Sequence, residues 1–274
     1  MGSGMTVNAL ILTGFGINCD AETAGAFERA GAVANRVHLN DLIADPSLLD
    51  AHEILAVPGG FSFGDHVGSG RILANRLRYT LGAPLHQFIA DGKLAIGVCN
   101  GFQVMVKMGM LPYFSNSFEQ EVTLTHNDSS RYEDRWTTLQ AEAGSRCIWT
   151  QGITTLEVPV RHGEGKFIPR DETVLSRLEA NGQIALRYCR PDGTSAQGEF
   201  PYNPNGSTGD IAGICDPSGR VFGLMPHPEA YQHRTNHPRW TRESLPEEGA
   251  GMQIFRNAVN HAAGQLAPAR AQGS

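Results

Sequence analysis

The segment Gly97-Val98-Cys99-Asn100-Gly101 carries the most chemical content in this 274-residue chain. An apolar run, Leu94–Val98, enters Gly-x-Cys-x-Gly, and a helix-like run leaves it. This is the nucleophile-elbow pattern with sulfur in place of a hydroxyl. The turn is so tight that glycines two residues to either side relieve crowding, and the nucleophile projects above the sheet edge. A helix N-terminus favours thiolate over thiol, from a free-cysteine pKa of about 8.5. The N–H of Asn100 then faces the place where a tetrahedral oxyanion forms. A packed structural cysteine is the commoner fate of the residue type, but the flanking glycines and the strand-to-helix order favour the nucleophile.

A thiolate nucleophile needs a base and a group that orients it. Of the ten histidines, His227 stands apart: a buried strand over 221–225 delivers Pro226-His227-Pro228-Glu229. In extended backbone, positions i and i+2 share a face, so Glu229 can hold the His227 imidazole and stabilise its cation. The flanking prolines enforce that extension. The competing reading is a surface turn with an incidental histidine, and the cysteine elbow weighs against it.

Other patterns carry less. Thr13-Gly14-Phe15-Gly16-Ile17-Asn18-Cys19 imitates a dinucleotide fingerprint, with Asp41 at a suggestive distance, but Cys19 stands at the third glycine position. Gly92-Lys93 and Gly165-Lys166 lack the Ser or Thr of a phosphate-cradling loop. Cys215, His227, His233 and His237 lack zinc-ligand spacing, so no metal is expected. Cys147 and Cys189 read as packed thiols, and Glu164 in Gly-Glu-Gly as site architecture or interface. The run 232–240, rich in His and Arg and ending in Trp240, reads as a docking surface rather than a solvated loop.

The elements that must position these residues alternate in the first half. Strand patterns at 9–13, 33–39, 53–57 and 94–98 are separated by helix patterns at 21–30, 69–91 and 101–108, which argues for a parallel sheet covered on both faces. Shorter, more antiparallel strands follow at 123–125, 136–140, 156–159, 183–187 and 211–215, with a polar loop at 126–134. Strand 221–225 and an amphipathic helix over 252–262 close the chain. The net charge is 22 − 28 = −6, with 41% hydrophobic and 18% charged residues: a globular composition, without the basic stripe of a nucleic-acid binder or an apolar run long enough for a membrane. Five cysteines and no secretory leader point to reduced thiols in the cytoplasm. Residues 1–4 read as a cloning remnant, and 5–265 as one domain.

Together, the Cys99 and His227 motifs resemble the class I glutamine amidotransferases. Gly16-Ile17-Asn18-Cys19-Asp20, Pro58-Gly59-Gly60-Phe61-Ser62-Phe63-Gly64-Asp65, Arg161-His162-Gly163-Glu164-Gly165-Lys166 and Asn203-Pro204-Asn205-Gly206-Ser207 are similar to the glutaminase subunits of phosphoribosylformylglycinamidine synthases. The resemblance covers about residues 7–262. It implies an α/β, flavodoxin-like, mostly parallel sheet with a smaller antiparallel region. It also implies Cys99 as nucleophile, His227 as base and later acid, Glu229 as orienting carboxylate, and Gly60 with Asn100 as oxyanion donors. Gln103 and the His162-Gly163 backbone would hold the substrate's amino-acid end. Glutamine would be hydrolysed to supply ammonia for purine biosynthesis, with ATP and Mg²⁺ on a partner synthetase subunit, a small accessory subunit in the assembly, and no cofactor in this chain. The stretches 127–150 and 230–251 look like additions to the small stand-alone subunits; Trp136 and 131–135 are similar to the long single-chain enzymes. Two alternatives stay open: the same glutaminase serving another acceptor, and a non-catalytic binding subunit of this fold.

Overall fold

The computed structural model describes residues 6–266; the remnant expected at 1–4 lies outside them. Strand β1 (Asn8–Thr13) is buried except at its two end residues, and β3 (Ile54–Val57) and β4 (Leu94–Val98) are buried along their length. Continuous apolar runs of this kind belong to strands covered on both faces. From β1 the chain passes through α1 (Asp20–Ala30) to β2 (Val33–His38) on one side. It returns through α2 (Leu39–Ala44) to β3 on the other side of β1, then through α3 (Arg71–Ala90) to β4. Right-handed crossovers running in opposite directions place α1 and α3 on opposite faces. Helix α4 (Asn100–Met108) packs beside α3, and α6 (Met252–Leu266) beside α1, where Phe27 and Phe255 meet edge-on at 5.0 Å.

Strand β11 (Val221–Leu224) joins β4 in parallel. Beyond it, β10 (Ile211–Cys215), β9 (Ile184–Cys189), β6 (Glu133–Ala141) and β7 (Thr155–His162) continue the sheet in antiparallel pairing. The order is β2-β1-β3-β4-β11-β10-β9-β6-β7, so the antiparallel strands extend the parallel sheet. Strands β5 (Val122–Thr125) and β8 (Lys166–Pro169) form a separate pair. Among the described residues, no helix is long and apolar enough to cross a membrane.

Several local expectations change. The polar loop at 126–134 ends early because β6 begins at Glu133, buried where it binds Arg135 and Ser129. Helix α5 (Glu172–Ala180) was not anticipated, although Asp171 caps it by accepting from the Val174 N–H at 2.9 Å. The run at 232–240 is knitted to its own chain: His237 and Tyr231 pack edge-on against Trp136 at 4.7 and 5.1 Å, Glu157 binds both His237 and Arg239, and Arg234 pairs with Glu247.

Candidate active site

The carboxyl ends of β1, β3, β4 and β11 converge, and each contributes to one site at the point where strand order reverses, the usual location of sites in open α/β sheets. At the end of β4, Cys99 sits at φ 50°, ψ −105°, a left-handed conformation unusual for a residue with a side chain. Its N–H donates to the Leu224 carbonyl at 2.8 Å, so β11 pins the turn. The glycines are steric requirements. A Cβ on Gly101 would stand 1.8 Å from the Val57 oxygen, and one on Gly97 would stand 2.7 Å from the Gly101 carbonyl.

Beyond β11, the His227 N–H donates to the Pro159 carbonyl at 2.8 Å. Pro228 opens a 3₁₀ turn, Pro228–Ala230, with proline in its favoured first position. The expected extended His-Pro-Glu is therefore a tight turn. It still brings Glu229 Oε1 to 2.5 Å from His227 Nδ1, with both side chains buried. A carboxylate can only accept, so Nδ1 carries the proton and Nε2 is left as the basic atom. Burial alone would disfavour the imidazolium, yet His227 titrates well above its ordinary range. Desolvation is the largest single influence, and the Glu229 charge together with the Cys99 and Cys19 sulfurs outweighs it. No aligned hydrogen bond reaches Nε2; the Cys99 thiol instead points toward the Arg161 carbonyl at 3.7 Å.

A cavity of about 90 Å³ opens above the sulfur, lined by Gly60, Phe61, Cys99, His227, Asn18, Cys19, Tyr132 and Arg161. Gly60 lies at φ 148°, wedged so closely that a Cβ would come within 2.6 Å of the Gly16 oxygen. Its neighbours are fixed: Phe61 N–H donates to Gly16 O, and Asn18 N–H and Cys19 N–H donate to Gly59 O. The Gly60 N–H has no acceptor among the described residues. The Asn100 N–H opens helix α4 and so has no intrahelical acceptor. The loop that imitated a dinucleotide fingerprint therefore seats the Gly59-Gly60 peptide. Lys93 and Lys166, from the other decoys, are tied to the Leu49 and Asp50 carbonyls and to Asp128.

The remaining expected residues lie behind the cavity. Gln103 Nε2 donates to the Glu164 carbonyl at 2.6 Å, and its Oε1 accepts from Asn100 Nδ2 at 2.9 Å. The amide thus braces the 163–165 loop against helix α4. The His162 and Gly163 carbonyls accept from Asn127 Nδ2 and N–H. The His162 ring is buried without a partner for either nitrogen, and desolvation, reinforced by nearby His227, pushes its pKa down to about 3. Three lining residues had no role assigned from sequence: Cys19, Tyr132 and Arg161. Arg161 Nε and Nη2 are buried and unpartnered by hydrogen bonds, with Glu22 3.6 Å away. Arg161, on β7, and Cys19 stood in the motifs that carry the family resemblance, and Tyr132, just before β6, in the 131–135 stretch, but no local pattern gave any of them a role at the cavity.

The sequence matches the family described as the CobB/CobQ-like glutamine amidotransferase domain over residues 6–262. It is 48% identical over 256 residues to the phosphoribosylformylglycinamidine synthase subunit PurQ of Dehalococcoides mccartyi, covering 93% of this chain and 98% of that protein. It is 44% identical over 268 residues to the same subunit of Methanococcus maripaludis, covering 94% and 99%. A solved structure of PurLQS from Thermotoga maritima superposes with a TM-score of 0.70 at 27% identity, over 94% of this chain and 99% of that one.

Proposed function

This chain belongs to the CobB/CobQ-like glutamine amidotransferase family, and on that premise we propose that it is the glutaminase subunit of a phosphoribosylformylglycinamidine synthase. The observation that carries the reading is the convergence, on one cavity, of Cys99 in its left-handed elbow and His227 held at 2.5 Å by Glu229. Full-length likeness to the PurQ subunits supports the choice of synthase.

In this reading Cys99 Sγ attacks the carboxamide carbon of glutamine, and the oxyanion is received by the Gly60 and Asn100 N–H groups. His227 Nε2 takes the thiol proton and delivers it to the departing ammonia. It then removes a proton from water, which attacks the thioester and releases glutamate. Glu229 keeps Nδ1 protonated and stabilises the imidazolium. Arg161 supplies a cation for the substrate's carboxylate. The ammonia passes to a synthetase subunit that makes formylglycinamidine ribonucleotide from formylglycinamide ribonucleotide in the cytoplasm. We place ATP and Mg²⁺ on that subunit, since neither lysine of the decoy loops here is free to hold a phosphate.

A glutamine-mimicking diazoketone should label one cysteine stoichiometrically, at Cys99. Cys99→Ala should then abolish glutamine-dependent synthesis by the assembled enzyme while sparing synthesis from added ammonia. Labelling at Cys19 or Cys215 instead, or loss of both activities in an intact complex, would overturn the assignment.

A further inference from the structure

Two cysteines address His227, and the mechanism uses one. Cys19 Sγ lies within 4.8 Å of ligand atoms of both His227 and Glu229, a grouping whose donors suit a metal ion, and all three residues are buried. It also packs at the edge of the imidazole: a Cβ on Gly59 would stand 3.2 Å from Cys19 Sγ and 2.9 Å from His227 Cε1. Cys99 lines the same cavity but stands outside that 4.8 Å grouping, so its sulfur joins the other two donors only by turning away from the Arg161 carbonyl. Both sulfurs have only weak partners, Asn18 Oδ1 at 3.4 Å and the Arg161 carbonyl at 3.7 Å, so rotation about χ1 breaks little. His227 Nε2, fully buried, is unpartnered.

We propose that this chain holds a buried site for a thiophilic divalent cation such as Zn²⁺, bound by Cys19 Sγ, Cys99 Sγ and His227 Nε2, and that occupancy silences the glutaminase. Two sulfurs and one imidazole are a borderline-soft donor set, and three protein donors leave the fourth tetrahedral position open to the cavity. Glu229 on Nδ1 supplies the carboxylate behind the histidine that orients such ligands and raises their basicity. The charges close: two thiolates and Glu229 balance the cation and Arg161. Binding releases the two thiol protons to solvent and forms no covalent bond to carbon. With both the nucleophile and the base engaged, no thiolate is left to attack a carboxamide.

The full-length chain, stripped with a chelator, is titrated with Co²⁺ and Zn²⁺. One cation per chain should bind, Co²⁺ producing near-ultraviolet sulfur-to-metal absorption. Zn²⁺ should protect Cys19 and Cys99 together from alkylation, mapped by mass, with Cys147, Cys189 and Cys215 unchanged. Cys19→Ser should weaken binding by at least the roughly tenfold that even an outer partner of a ligand is worth. No absorption, protection of Cys99 alone, or undiminished affinity in Cys19→Ser would each overturn the proposal. If that variant fails to fold, the protection pattern in the unaltered chain decides. Glutamine hydrolysis by the stripped protein is measured in parallel, so an inactive but cation-binding chain would count against the glutaminase reading alone.

Discussion

His162 shows how far a single buried ring can couple this fold to pH. Its ordinary value near 6.5 falls to about 3 because burial, helped by the neighbouring His227, disfavours the cation. Above about pH 6.5 the ring is neutral folded or unfolded and costs nothing. Between about 6.5 and 3 the unfolded chain binds a proton that the folded chain refuses, so stability declines as pH falls, by about 1.4 kcal/mol per unit for one proton. His227 is shifted the other way; its contribution is fully present below its unfolded value and is lost only as pH rises through its raised folded value. It therefore adds no slope in the acid window. His162→Asn should flatten the dependence of unfolding free energy on pH between about 6 and 4 by about one proton; an unchanged slope in denaturant titrations would mean that His162 is already paired. At this scale the sequence was legible where chemistry leaves a local pattern. The elbow at Cys99 was readable from its glycines, and the approach of Glu229 to His227 from their spacing. Arg161 and Tyr132 join the cavity through tertiary approach from segments distant in sequence from Cys99, which no local spacing encodes.

At the scale of elements, the legible parts were those whose burial runs on uninterrupted. Strands β3, β4 and β11 are apolar throughout and β1 is apolar between its end residues, and Leu94–Val98 and Ile211–Cys215 fell where their residues placed them. Strand β6 hid because its charged start, Glu133-Asp134-Arg135, reads as loop until the neighbouring strands bury Glu133. The close approach of α4 to β3 was implied by Gly101 alone, and this permits a paired test. Gly101→Ala drives a Cβ into the Val57 carbonyl, backbone against backbone, and should cost more than about 3 kcal/mol, the upper end of ordinary overpacking. Gly82, inside α3 with nothing within 4 Å of its missing Cβ, differs only in space. Gly82→Ala should raise stability by about 1 kcal/mol through helix propensity. Denaturant midpoints at constant slope measure both changes. If the two substitutions moved stability in the same direction, the contact between α4 and β3 would be looser than its geometry implies.

Across the whole molecule, exposed apolar residues gather at the end where the chemistry lies. Phe15, Phe61 and Val67 stand on the loops after β1 and β3, and Tyr132 faces Phe61 with ring centroids 6.4 Å apart. Such a rim around a reactive cavity marks a surface that a partner covers. The space beneath it is narrow. At about 90 Å³ the cavity is well below the roughly 300 Å³ at which small-molecule sites begin, and the Cys99 sulfur turns to the Arg161 carbonyl instead of His227 Nε2. The Gly59-Gly60 peptide is pinned, but the loop beyond it holds Phe63, Asp65 and Val67 at positive φ, each costing on the order of 1–3 kcal/mol. A partner seated on Phe61 and Val67 can relax those residues, widen the cavity and bring the sulfur to the imidazole. Ammonia freed into solvent is lost to synthesis, so this arrangement withholds hydrolysis until an acceptor is in place. The chain alone should therefore turn over glutamine slowly, and adding synthetase subunit, nucleotide and acceptor should raise the rate by about 10²-fold or more, the effect of restoring one oxyanion donor or its equivalent in alignment. Steady-state glutamate release in each mixture reads this directly. An equal turnover number in all of them would mean that the strained loop and the misdirected thiol are no barrier to chemistry.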